Sequence, residues 1–142
     1  MFRNILVAID GSKTSEQALI AALEEARLWK AQLHVMYVIE TGLFSSLPMD
    51  NTWEIMYSML ENEGKKALEQ AETLGKEKGV QVTTHIKQGH AGNMIVDTAE
   101  ETGAGLVVVG SHGKSEVDRL LLGSVSSFVV AHAKVSVLVV RL

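Results

Sequence analysis

The sequence predicts an α/β domain of the doubly wound class, a Rossmann-like fold with a five-stranded parallel sheet and four main helices. Five short apolar segments rich in Val and Ile alternate along the chain with segments of helical periodicity. Three of the five lack the clean alternation of a half-solvated strand, which is typical of strands buried on both faces. No linker, repeat or low-complexity tract interrupts this alternation, so residues 1–142 are expected to form one domain.

The alternation of apolar and helical segments predicts five strands and four helices. The strands are 5–9, 33–39, 80–86, 106–109 and 135–140. In the first helix, Thr14 and Gln17 are predicted to form a capping box. The second carries a long apolar stripe that begins at Trp53 and ends before Gly79, and the third ends at Gly103. Ser124 is predicted to be the N-cap of the fourth.

Composition excludes several classes of function. The chain has 142 residues, of which 46% are hydrophobic and 21% charged, and its net charge is −4. It has no cysteine, which excludes disulfides, thiolate catalysis and cysteine–zinc sites. Its scattered lysines argue against a nucleic-acid partner, and its apolar runs are far shorter than the roughly 20 residues of a membrane span. The start of the chain does not resemble a signal peptide, so a cytoplasmic protein is expected.

The loops predict the topology of the sheet. Helices can cover both faces of a parallel sheet only if the winding direction reverses, and ligands bind at that reversal, at the carboxyl ends of the strands. The most glycine-rich connections, "DGSK" and "GSHG", follow strands one and four. We therefore expect the strand order 3-2-1-4-5, with a binding crevice between strands one and four.

The segment "GSHGKSEVDRLLLGS" runs from the end of strand four to the start of helix four. Gly110 and Gly113 allow a tight turn, and Gly123 allows a ligand to approach the backbone closely. The N–H groups of Ser124 and Val125 have no partner within the helix, and together with the helix dipole they favour an anion. The pattern fits a polyphosphate cradle in which the Ser124 hydroxyl reaches a phosphate oxygen or Mg²⁺. It also fits ordinary turn glycines followed by a helix cap.

The spacing G-x₂-G-x₉-G-S in this segment resembles the signature of ATP-binding universal stress proteins. The resemblance covers the whole chain: "ILVAIDGSKTSEQAL" is similar to the family's first strand and helix, "LHVMYVIE" to its second strand and "LVVVGSHG" to its fourth. The stretch "LLLGSVSSFVVAHAKVSVLVV" is similar to the family's last helix and strand.

The resemblance implies an ATP site at the carboxyl edge of the sheet. Asp10 would lie near the adenine or ribose, although Asp-Gly-Ser is also typical of an Asx turn. Ala8 and Ile9 would form the purine wall, and Val38 would touch the adenine. The sugar and phosphate region would be lined by Val109 and Gly110, and the phosphates would be held by Gly113, Gly123, Ser124 and Val125.

The resemblance also implies a regulatory role and a homodimer. The last strand, Val135 to Val140, is apolar and lies at a predicted sheet edge, and the family dimerises through the equivalent strand. The cofactor would be ATP with Mg²⁺. No base is evident beside the loop, so ATP hydrolysis is expected to be weak at most. A slow ATPase, a nucleotidyl-transfer enzyme and a dimeric interaction module that binds no nucleotide remain as alternatives.

Two further features are the five histidines and residues 41–59. The five histidines show no metal-ligand spacing, so no metal site is predicted; His112 lies in the loop and could touch an anion when protonated, but it has no acid–base partner nearby in sequence. Residues 41–59 are predicted to be a loop followed by a helix packed on the sheet, with a flap over the nucleotide or a partner surface as the alternative.

Overall fold

The computed structural model describes residues 1–44, 51–112 and 123–141. A five-stranded parallel sheet has the order β3-β2-β1-β4-β5, as predicted. The strands are β1 (Asn4–Ile9), β2 (Gln32–Glu40), β3 (Val82–Gly89), β4 (Leu106–Gly110) and β5 (Ser136–Val140). The helices are α1 (Lys13–Trp29), α2 (Asn51–Lys78), α3 (Ala91–Thr102) and α4 (Ser124–His132), and a 3₁₀ turn spans Thr41–Phe44.

The two faces of the sheet pack against different helix pairs. One cluster, which we call the α1–α2 core, includes Ile5, Val7, Leu23, Leu33 and Val35. The other, the α3–α4 core, includes Leu6, Met36, Ile95, Val107 and Val129. Successive residues of β1 therefore enter opposite cores, which confirms the prediction that the central strands are buried on both faces.

The predicted start of the third strand, residue 80, was wrong by two residues. The N–H of Val80 donates to the carbonyl of Gly75 at 2.8 Å, so Val80 belongs to the turn that ends α2. Gly79 permits that turn because its φ is +71°. The predicted ends of α2 and α3 are confirmed, since Gly79 follows Lys78 and Gly103 is the left-handed C-cap of α3.

In residues 41–59 the 3₁₀ turn Thr41–Phe44 comes first and α2 begins at Asn51, which confirms the predicted helix; residues 45–50 lie outside the described part of the chain. Trp53 and Tyr57 stack with ring centroids 5.5 Å apart and pack against the α1–α2 core. Of the helices within the described residues, none combines the length and apolar character that a membrane crossing requires.

Candidate functional site

The winding direction reverses between β1 and β4, which are neighbours in the sheet. The chain leaves β1 towards α1 on one face, and leaves β4 towards α4 on the other. The two connections therefore diverge and leave a crevice at the carboxyl ends of these strands. The reversal lies where the sequence predicted it.

The turn between β1 and α1 is closed by its own side chains. The Ser12 N–H donates to Asp10 Oδ1 at 2.9 Å, and Gly11 has a φ of +85°. The Ser15 N–H donates to Ser12 Oγ at 3.2 Å, which makes Ser12 the N-cap of α1. The predicted capping box of Thr14 and Gln17 was wrong, because the helix begins at Lys13 and leaves Thr14 buried inside its first turn.

Asp10 forms the Asx turn through one of its two carboxylate oxygens. Oδ1 accepts the Ser12 N–H, while Oδ2 has no hydrogen-bond partner among the described residues. The Asp10 N–H donates to Ser15 Oγ at 3.2 Å, which holds the residue from its other side. A partly buried carboxylate held in this way can accept a hydrogen bond from a sugar hydroxyl or an amine.

Apolar side chains from three adjacent strands line one side of the crevice. Ala8 of β1, Val38 of β2 and Val109 of β4 all pack with the α3–α4 core. Ile9 is on the opposite side of its strand, buried in the α1–α2 core, so only its main chain faces the crevice. Ala8 and Val38 are partly buried, whereas Val109 is 3% exposed.

Gly110 ends β4 where α1 packs closely against it. A Cβ at this position would lie 2.8 Å from Thr14 Cγ2 and 3.2 Å from the Thr14 backbone. Such distances are shorter than a normal van der Waals contact, so the absent side chain serves strand–helix packing. Gly113 lies outside the described residues.

Ser111 joins the two ends of the connection between β4 and α4. Its N–H donates to the Val140 carbonyl at 2.8 Å, and its own carbonyl accepts from the Gly123 N–H at 2.7 Å and from Ser126 Oγ at 3.0 Å. Ser111 and Ser126 are both buried. Sequence reasoning did not identify Ser111, although its position directly after a buried strand was a usable signal.

The first turn of α4 is open. Its N-cap is Gly123, with no side-chain hydrogen bond, and Ser124 is the first helical residue, so the prediction of Ser124 as N-cap was wrong. The N–H groups of Ser124 and Val125 have no partner among the described residues. A Cβ on Gly123 would lie 3.1 Å from the Ser111 carbonyl oxygen, so a side chain here would press on the joined loop ends. Free donors at the positive end of a helix make this turn suitable for an anion.

His112 follows Ser111 at the same edge. Its Nδ1 lies 3.0 Å from Ser111 Oγ. Its Nε2 is buried and has no hydrogen-bond partner among the described residues. Within the described residues, no group of three or more His, Asp or Glu side chains could hold a metal ion.

A second polar cluster lies beneath α3, away from the crevice. His34 Nδ1 is 3.0 Å from His85 Nε2, and His34 Nε2 is 3.2 Å from Asn4 Oδ1. Burial, and secondly the charge of His85, lowers the pKa of His34. Burial, and secondly the charge of Lys87, lowers the pKa of His85 against an opposing effect of Glu101.

Known proteins are similar to this chain along nearly all of its length. Residues 1–141 match the model of the Universal stress protein family. Universal stress protein MJ0531 of Methanocaldococcus jannaschii is 35% identical over 141 residues, which cover 99% of this chain and 83% of that protein. Universal stress protein UspA from Lactobacillus plantarum has a solved structure that matches with a TM-score of 0.90 at 27% identity, covering 98% of this chain and 97% of that one.

Two other similar structures contain adenine nucleotides. One is a universal stress protein in complex with cAMP, with a TM-score of 0.70 at 26% identity over 99% of this chain and 97% of that one. The other is the universal stress protein from Archaeoglobus fulgidus in complex with dAMP, with a TM-score of 0.70 at 26% identity over 98% of each chain. By sequence along its whole length and by fold, this chain belongs to the universal stress protein family.

Proposed function

We propose that this protein binds ATP with Mg²⁺ in the crevice between β1 and β4 and acts as a nucleotide-dependent regulatory module in the stress response. The observation that carries the proposal is the open first turn of α4, whose Ser124 and Val125 N–H groups lack partners in the described part of the chain and whose Gly123 N-cap offers no side chain. The cAMP and dAMP bound to two similar structures support an adenine nucleotide as the ligand.

Each part of the nucleotide has a complementary surface. The adenine would lie against Ala8, Val38 and Val109, with the Ile9 main chain beside it. The ribose would lie within reach of Asp10 Oδ2.

The phosphates would be held at the far side of the crevice. They would receive the main-chain N–H groups of Gly113, Ser124 and Val125, with Gly110 and Gly123 keeping the loop ends close to the sheet. Their negative charge would be stabilised by the α4 dipole, which is unscreened by any acidic side chain in its first turn.

Mg²⁺ would be held chiefly by the phosphates. Proteins commonly bind this ion through one or two oxygen ligands plus the phosphates of the substrate, with water completing the octahedron. The exposed Ser124 hydroxyl is the protein ligand that the open turn of α4 presents. The ion would reduce phosphate repulsion when the nucleotide binds.

The carboxylates at this edge favour regulation over catalysis. Efficient phosphoryl transfer needs an oriented nucleophile and a group that stabilises developing charge. Asp10 gives one oxygen to the Ser12 N–H, and Glu40 accepts the Ala91 N–H at 2.9 Å. In this proposal the second oxygen of Asp10 is taken by the ribose and Glu40 is engaged by the N-terminus of α3, so we expect ATP turnover to be slow.

We further propose a homodimer formed by the strand from Val135 to Val140. In the sheet β5 is an edge strand, and Val137, Leu138, Val139 and Val140 are each only partly buried. The opposite edge, β3, carries Thr83, Lys87 and Gln88, which are less suited to association. An apolar edge with unpaired main-chain groups is a template for pairing with a second copy.

Calorimetric titration tests the nucleotide site. ATP, AMP, cAMP, adenosine and GTP would each be added to the purified protein with and without Mg²⁺. We expect ATP with Mg²⁺ to bind at least about 100-fold more tightly than adenosine, since the phosphates supply the charge-assisted hydrogen bonds. A protein that dimerises, measured by analytical ultracentrifugation, yet binds none of these ligands would instead be the nucleotide-independent interaction module.

A further inference from the structure

The buried Nε2 of His112 is the polar atom that the proposed contacts with ATP leave unexplained. It has no hydrogen-bond partner among the described residues, and buried polar atoms in native proteins are nearly always paired. The main chain of His112 lies beside the N-cap of α4, since a Cβ built on Gly123 would be 3.5 Å from the His112 Cα. His112 is thus attached to main chain close to Gly123, the residue before Ser124 and Val125, so one anion could serve both the ring and the main-chain N–H groups.

Ser111 determines which ring nitrogen carries the proton. Its buried Oγ lies 3.0 Å from His112 Nδ1 and has no other partner in the described part of the chain. If Nδ1 carried the proton, both the Ser111 hydroxyl hydrogen and the Nε2 lone pair would lack a partner. If the Ser111 hydroxyl donates to Nδ1, the Nε2–H is the one group left unpaired. The second arrangement leaves fewer buried polar groups unsatisfied.

We propose that His112 is a phosphate-binding residue, which donates its Nε2–H to the anionic end of the nucleotide as a neutral imidazole, and that Ser111 is the positioning residue that sets its tautomer. This inference rests on the proposed nucleotide site and adds a side-chain donor to its main-chain donors. An Nε2–H already satisfied by phosphate would not act as a base, consistent with slow turnover. From the sequence, His112 could touch an anion when protonated; with the Ser111 hydroxyl donating to Nδ1, Nε2 carries a hydrogen that can be donated to the anion.

Two substitutions of His112 distinguish the loss of the Nε2–H donor from the loss of the imidazole ring. In His112→Gln the side-chain amide reaches the place of Nε2, whereas in His112→Asn it reaches only the place of Nδ1. We expect His112→Asn to lower the affinity for both ATP and inorganic tripolyphosphate by about tenfold or more, because that is the value of a hydrogen bond to a charged group. His112→Gln should stay within about threefold of the wild type, and adenosine should bind all three proteins equally.

The tautomer is measured independently of binding, by ¹⁵N NMR of histidine-labelled protein. The His112 signal, assigned by its loss in His112→Asn, should show a protonated Nε2 and a bare Nδ1 before ligand is added. Ser111→Ala should give a mixture of His112 tautomers and should lower the affinity for ATP by about threefold. Ser126→Ala, which removes a different hydroxyl bonded to the Ser111 carbonyl, should leave the tautomer unchanged.

Failure of this inference is distinct from failure of the nucleotide site. If wild type and His112→Asn bind ATP equally, or if Nδ1 carries the proton in the free protein, the role of His112 is wrong while ATP binding stands. If the wild type binds neither ATP nor tripolyphosphate, the proposed function itself is wrong.

Discussion

The N-termini of α3 and α4 lie on the same face of the sheet but are finished differently. At α3 the protein supplies its own acceptors: His90 Nδ1 accepts the Asn93 N–H at 3.2 Å, and Glu40 accepts the Ala91 N–H at 2.9 Å. At α4 the N-cap is Gly123, and among the described residues no side chain accepts a hydrogen bond from the first turn. One helix end is closed by a carboxylate, whereas the other has a glycine N-cap and is where we propose that the phosphates bind.

The two helix starts differ in what their closure depends on. A glycine N-cap gives up only a few tenths of a kcal/mol relative to a side-chain cap, so leaving α4 open costs little stability. Closing α3 requires Glu40, which arrives from the end of β2, 51 residues before Ala91 in the chain. The openness of α4 is therefore a local property, whereas the closure of α3 depends on the sheet.

The largest expected effect comes from closing α4 as α3 is closed. Gly123 has an extended conformation, φ −68° and ψ 167°, which aspartate at an N-cap adopts readily. The carboxylate of Gly123→Asp would accept the free N–H groups and repel phosphate. We expect ATP affinity to fall at least about 100-fold, or about 2.7 kcal/mol, by calorimetric titration.

Gly123→Ala is the matched control for that experiment. It adds the same Cβ, 3.1 Å from the Ser111 carbonyl oxygen, without the charge. Its loss of ATP affinity should be about tenfold at most. Equal losses in the two variants would show that space, and not competition for the open helix end, governs the site.

A second test compares the two glycines that bracket the loop. Gly110→Ala would press on Thr14 and not on the ligand, so we expect a loss of about 2 kcal/mol in the free energy of unfolding, measured by urea denaturation. The folded protein should keep most of its ATP affinity. Combining it with Thr14→Ser removes the Cγ2 contact at 2.8 Å and should restore part of the stability. If the double variant is no more stable than Gly110→Ala, the clash does not involve Thr14 Cγ2.

Opening α3 is the reverse of closing α4. Glu40→Ala removes the acceptor of the Ala91 N–H and should lower the free energy of unfolding by about 1 kcal/mol. Glu40→Gln keeps an oxygen acceptor without the charge and should lose about half as much. A Glu40→Ala protein as stable as the wild type would mean that water caps α3 equally well.

The smallest expected effect is that of acid on the half of the sheet beneath α3. His34 and His85 both have pKa values lowered below 6.5 in the folded protein, so the unfolded chain binds more protons. The stability contributed by this pair is complete above about pH 6.5 and decreases as the pH falls below it. Hydrogen exchange at decreasing pH should show earlier loss of protection in β3 than in β5.

The control for acid sensitivity is the double variant His34→Gln, His85→Gln, compared with His132→Gln. The double variant should show a shallower decrease of stability between pH 7 and 5, while His132→Gln should keep the wild-type slope. The charges that bear on the pair are those of Lys87 on β3 and Glu101 on α3, which form an ion pair at 3.2 Å. An unchanged slope in the double variant would assign the acid sensitivity to other groups.

Sequence reasoning succeeded for strands, helices and strand order, and was less accurate at helix starts. The Thr14–Gln17 capping box was wrong because Ser12 caps the helix instead, three residues before Ser15. The N-cap of α4 was predicted one residue too late, at Ser124, because Gly123, with no side chain to bond, occupies that position. Both errors arise where several Ser, Thr and Gly residues compete for one role and local pattern does not choose among them.

The amino-acid sequence by itself determined the parallel α/β fold, the reversal between β1 and β4 and the glycine-lined connection after β4, because periodicity and glycine placement act over a few residues. Only the tertiary structure decided that Glu40 closes α3, that His34 meets His85 and that Ser111 joins Gly123 and faces His112. Except for the contact between Ser111 and His112, which are neighbours, these are contacts between residues far apart in the chain. They depend on strand register and loop closure, which no local pattern specifies.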